Sequence, residues 1–145
     1  MKNLILVLGI AIGVSACQKE ETTEPKNAAT AAESLATFST TGQTLVVMGD
    51  FENAVHPTSG KAKIYEDKDK KRSLVFEGFK TDAGPDLRIY LAEDKSVTNF
   101  VEITDVVKNG NGVYVLPNTV DLKKQKFILI WCKKFGVLFG SAQLK

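Results

Sequence analysis

From Thr44 to the C-terminus the chain reads as one short apolar stretch after another, each closed by a turn signal, and no segment holds a helical period over three turns. That pattern confines the fold to antiparallel β-structure. Thr44 to Phe51 is β-branched and apolar. Lys61 to Tyr65 alternates, with Ala62 and Ile64 on one face and Lys61, Lys63 and Tyr65 on the other. The charged run Asp67 to Arg72 suits a solvated hairpin tip, and Ser73 to Phe79 returns from it. In strict alternation Leu74, Phe76 and Gly78 share one face of that return strand, and Val75, Glu77 and Phe79 the other. Leu87 to Leu91 follows the turn Ala83-Gly84-Pro85-Asp86, and Phe100 to Val107 suits strand or loop. Asn109-Gly110-Asn111-Gly112 is a turn signal, and Val113 to Leu116 is stopped by Pro117. Phe127 to Cys132 is continuously apolar, as expected of a strand covered on both faces, and Gly136 to Leu144 ends the series. The predicted fold is an all-β antiparallel sandwich or small barrel over residues 42–145.

The N-terminus has another character. Lys2 precedes an apolar run from Leu4 to Val14, which as a helix would rise only ~16 Å against a hydrocarbon core of ~30 Å. It is an export signal in form, too short to span a bilayer. Val14-Ser15-Ala16-Cys17 places small residues directly before a cysteine, and this resembles a bacterial lipoprotein signal. The resemblance implies cleavage after residue 16, acylation of Cys17 (palmitate among the chains) and membrane attachment through that lipid. Gln18, not aspartate, follows the cysteine, which points to the outer membrane of the cell envelope. Gln18-Lys19-Glu20-Glu21 resembles the acidic tag of surface-exposed lipoproteins. Residues 17–41, rich in Glu, Thr, Ala, Ser and Asn, have few large apolar groups to bury and read as a tether; Ala28 to Ala36 could form a transient helix.

The side-chain inventory excludes most chemistry. After cleavage and acylation, Cys132 is the one thiol left, so no internal disulfide forms. His56 is the one histidine of the chain. A zinc site wants three or four protein ligands and a blue-copper site two histidines and a cysteine, which this set does not supply. No Cys-x-x-Cys-His, Ser-His-Asp arrangement or phosphate-binding glycine loop can be argued. Three of the 19 lysines and arginines and four of the 17 aspartates and glutamates precede Gly42, leaving the folded part at +3. That charge gives no case for nucleic acid. Chemistry, if the chain performs any, converges on Cys132. A lowered thiol pKa would need a nearby cation, and on strand period Lys134 shares its side. Against this stands the habit of cysteine to act as a small buried hydrophobe, and Trp131 is equally suited to the core.

Several residue groups together resemble a known family. They are Gly49-Asp50-Phe51, His56-Pro57-Thr58-Ser59-Gly60-Lys61-Ala62, Gly84-Pro85-Asp86-Leu87 leading to Tyr90-Leu91, and Gly112 to Pro117. Ile130-Trp131-Cys132-Lys133-Lys134-Phe135 and Phe139-Gly140-Ser141-Ala142 complete the set. In this order they resemble the DM-thirteen domain, a proposed electron-transfer domain found beside DOMON domains and also alone in bacteria. The similarity runs from about Leu45 to Leu144. It implies a β-rich fold and a redox role for a single cysteine, here Cys132, as a bare thiol or as the ligand of a group such as haem. By the same resemblance His56 and Asp86 become candidate site residues, with His56 as a second ligand or proton partner. A redox partner would be another envelope protein.

Residue chemistry alone also allows a different function, a lipid-anchored scaffold or binding module with a structural Cys132. The glycines at 60, 84 and 112 are expected at turns with positive φ, and Asp86 is expected to satisfy backbone donors of its own turn.

Overall fold

The computed structural model describes residues 38–145, so the signal segment, Cys17 and the tether up to residue 37 lie outside the described residues. Eight strands form: β1 (Thr44–Asn53), β2 (Thr58–Glu66), β3 (Arg72–Thr81), β4 (Leu87–Ala92), β5 (Val101–Thr104), β6 (Gly110–Val115), β7 (Phe127–Cys132) and β8 (Val137–Gln143). All pairings are antiparallel, in the order β5-β4-β7-β8-β1-β2-β3-β6. The terminal strands β5 and β6 approach one another, which nearly closes the sheet into a barrel. The expected all-β architecture is the one found.

β1 joins the two halves. Its residues Thr44 to Asp50 pair with β2, and Phe51 to Asn53 pair with β8. The handover is tight: a Cβ on Gly49 would fall 2.2 Å from the carbonyl oxygen of Gln143, so only glycine lets the two backbones approach there.

Inward-facing residues form one core that includes Phe51, Ile64, Leu74, Phe76, Phe79, Ile89, Leu91, Ile128, Ile130, Cys132 and Phe139. At its centre Phe51, Phe76 and Phe79 meet with ring centroids 4.8–5.0 Å apart, in tilted and edge-on arrangements that suit aromatic quadrupoles. This arrangement corrects the alternation expected for β3. Gly78 adopts φ +57° and the register slips between Phe76 and Phe79, so Phe79 turns into the core and Gly78 faces solvent. The bulged Gly78 amide donates to Asn111 Oδ1 at 2.7 Å, which leaves no orphan donor.

β7 is covered on both faces, as its apolar run implied. Ile128, Ile130 and Cys132 face the core, while Leu129 packs outside with Tyr90 and Ala92 under Phe127, Trp131, Leu138 and Val97. Trp131 therefore belongs to this outer cluster, not the central core.

Candidate functional site

The β3–β4 connection, residues 82–86, lies at one end of the barrel and brings the sequence candidates into one neighbourhood. Together with Thr81, Leu87, Arg88, Asp105, Val107 and Asn109 it lines a cleft of about 410 Å³. The floor is apolar: Leu87 and Val107 also pack on the core. The rim is polar and ion-paired.

Asp86 lies on the cleft wall, but its role differs from the expected one. Its carboxylate accepts from Arg88 Nε at 2.6 Å and not from the backbone of its own turn. The Asp86 carbonyl accepts from the Lys133 amide at 2.9 Å, which ties the connection to the end of β7. Arg88 also donates to Glu102 at 2.8 Å and lies 3.7 Å from Asp105. The Asp86 hydrogen bond, helped by Glu102 and opposed by burial, raises the guanidinium above its ordinary range and keeps it charged. Asn109 hydrogen-bonds both the amide and the carbonyl of Thr81, closing the opposite wall.

His56 stands at the edge of this region. Its Nδ1 lies 3.0 Å from Asp82 Oδ2, and its ring stacks on Phe139 with centroids 3.8 Å apart and planes 27° from parallel. Phe139 in turn lies under Gly84, where a Cβ would come within 3.0 Å of its ring and 2.7 Å of Leu87 Cδ2. A side chain at Gly84 would therefore have to displace the ends of Leu87 and Phe139. Positive φ, expected at positions 60, 84 and 112, is found only at Gly60 (φ +109°), inside β2; Gly112 is held by the Tyr114 hydroxyl, 2.9 Å from where a Cβ would sit.

Cys132 is fully buried. It is the last residue of β7 and faces inward, where its cross-strand partners are Leu87 on β4 and Val137 on β8. Partners on one face of an antiparallel pair hold their Cβ atoms ~5 Å apart. Leu87 also lines the cleft, so the thiol lies one side chain behind the cleft wall. The cation expected on its side is elsewhere. β7 stops at Cys132, and in the turn that follows Lys134 Nζ lies 5.6 Å from the Phe135 ring centroid while Lys133 reaches towards Glu102.

The sequence reading missed Asp82, Arg88, Leu87 and Phe139. The pair Asp86 and Arg88 was suggested only by opposite charges two residues apart at the start of β4. The His56–Phe139 stack was not, because it joins distant elements.

A family model described as electron transfer DM13 matches residues 50–144. The chain belongs to this family. No curated protein matches it, and no solved structure does. The match covers all of the barrel from the end of β1, so every residue of the cleft, with His56 and Cys132, belongs to the DM13 domain. A haem ligated by Cys132 and His56 does not fit this arrangement. The sulfur is fully buried within the hydrophobic core, and neither residue lines the cleft. Among the described residues no group of three or more His, Cys, Asp and Glu could hold a metal ion.

Proposed function

We propose that the chain is an electron-transfer module of the cell envelope, held to a membrane through acylated Cys17, in which Cys132 is the redox group and the Asp82–Arg88 cleft is where an envelope partner approaches it. The observation that carries this reading is the place of Cys132: paired with the cleft-lining Leu87, at the end of a strand, within the domain that the electron-transfer family match covers. With Cys17 acylated, the chain offers no second thiol, so the other sulfur comes from the partner. The Cys132 thiol loses its proton and the thiolate attacks one sulfur of a partner disulfide. A mixed disulfide forms as the partner's sulfur–sulfur bond breaks, and the partner's other sulfur leaves as a thiolate. The thiolate of a second partner then attacks the partner-side sulfur of the mixed disulfide; a disulfide forms between the two partner sulfurs, the bond to Cys132 breaks, and Cys132 leaves as a thiolate that takes back a proton.

Complete burial of Cys132 favours a second reading, in which the cysteine is structural and the cleft serves binding or scaffolding alone. Titration of the purified lipoprotein against a small-molecule disulfide at graded oxidised-to-reduced ratios, compared with Cys132→Ser of unchanged circular dichroism, separates the two. The redox reading expects a reversible step in the wild type and none in the serine variant. An identical response from both proteins would leave Cys132 a packing residue.

A further inference from the structure

Cys132 is fully buried within the core. It ends β7, and both of its cross-strand neighbours, Leu87 and Val137, are only partly buried. On the cleft side its cover is Leu87, the first residue of β4, continuous with the connection 82–86. That connection has few attachments. His56 hydrogen-bonds Asp82 at one end. At the other end the Asp86 carbonyl is held by the Lys133 amide and its carboxylate by Arg88. Between them Gly84, without a side chain, lies over Leu87 and Phe139. His56 also stacks on Phe139, so one ring braces both the latch and the floor beneath Gly84.

We propose that residues 82–87 are a door over Cys132, with Leu87 as its panel and the His56–Asp82 pair as its latch, and that a reagent reaches the thiol from the cleft by local opening of this segment while the barrel stays folded. This rests on the redox reading for its purpose, though the geometry stands without it. His56 becomes a positioning residue that acts on the thiol through Asp82 and Phe139, not as a ligand or proton partner of the sulfur.

Local and global opening differ in their response to denaturant. A local opening exposes little surface, so its rate is nearly flat in low urea; reaction through global unfolding rises with the full equilibrium slope. The experiment is labelling of the mature, acylated protein in detergent with N-ethylmaleimide, followed by intact mass across low urea concentrations. The wild type is expected to label on a urea-independent plateau. His56→Phe keeps an aromatic ring to stack on Phe139 and loses the Asp82 hydrogen bond, and is expected to raise the plateau about fivefold, the effect of one ordinary hydrogen bond. Leu87→Ala is expected to raise it by about tenfold or more. Val137→Ala, which thins the opposite side of the thiol, controls for lost stability and should leave the plateau within about twofold, because the reagent enters from the cleft side. Labelling that follows the global slope in every variant, or a plateau raised equally by Val137→Ala, overturns the door. The redox reading fails separately: a door that opens on a plateau in a protein whose Cys132→Ser variant titrates like the wild type leaves the door intact and removes the redox role.

Discussion

At the scale of single residues, the molecule is governed by close approaches that leave no room for a side chain and by buried groups with few partners. Gly84 is the clearest case at the site. Alanine there pushes against the ends of Leu87 and Phe139, and Gly84→Ala is expected to cost about 1 kcal/mol by urea denaturation, since the Leu87 end can turn aside while the Phe139 ring, stacked on His56, yields less. Gly49→Ala meets backbone and is expected to be worse, lowering soluble yield of the folded domain in addition to its midpoint. Tyr114 shows the other limit. Its hydroxyl is buried without a hydrogen-bond partner of good geometry, and burial pushes the phenol up to about 12, with the Lys108 backbone only partly opposing. The sign follows: a phenol raised above its ordinary 10.0 contributes stability that is whole below pH 10 and is lost as the pH climbs through about 12. In an ultraviolet phenolate titration, Tyr114→Phe is expected to remove the highest transition, and to leave neutral-pH stability within about 1 kcal/mol because no good hydrogen bond is broken.

At the scale of elements, the β2–β3 hairpin was legible from its charges and its alternation. Ala62 and Ile64 are fully buried as the pattern required, and Asp67 caps the tip by accepting from the Asp69 and Lys71 amides. Glu66 holds Lys70 and Arg72 across the hairpin, and those hydrogen bonds lower its carboxyl below the ordinary 4.5. A lowered carboxyl stabilises above its ordinary value and loses that contribution as the pH falls through the depressed one. Melting temperatures of the wild type and Glu66→Gln are therefore expected to differ at neutral pH and converge in acid; a constant gap would assign the difference to packing. The β3 bulge was missed. Strict alternation puts Phe79 outside, and only the triple contact among Phe51, Phe76 and Phe79 makes the slip at Gly78 favourable. The connection before β5 hides a similar exchange: Val97 takes φ +67°, strained for a β-branched residue, while packing its side chain over the outer cluster around Leu129. Gly78 inside the apolar run is a local bulge signal that strict alternation passes over; at Val97 no local signal announces the strained backbone.

At the scale of the whole molecule, the sequence yielded the all-β class, most strand positions and the family, since turn signals and apolar runs are local properties. It did not yield the cleft. His56, the stretch from Asp82 to Arg88, and Phe139 come from three separate segments, and only the sheet order brings them beside the end of β7. The same order puts Cys132 behind that wall, and this makes access the central physical question for a redox role. A lone thiol needs a second sulfur and a way in. Incubating the folded protein, prepared with Cys17 acylated as proposed, in glutathione buffers of graded oxidised-to-reduced ratio, with intact mass as readout and circular dichroism recorded throughout, tests both needs at once. The account predicts a single glutathione adduct that forms on folded protein, reverses as the buffer is made reducing, and is missing in Cys132→Ser. A folded protein that takes up no glutathione at any ratio, and is modified only once it unfolds, would contradict it.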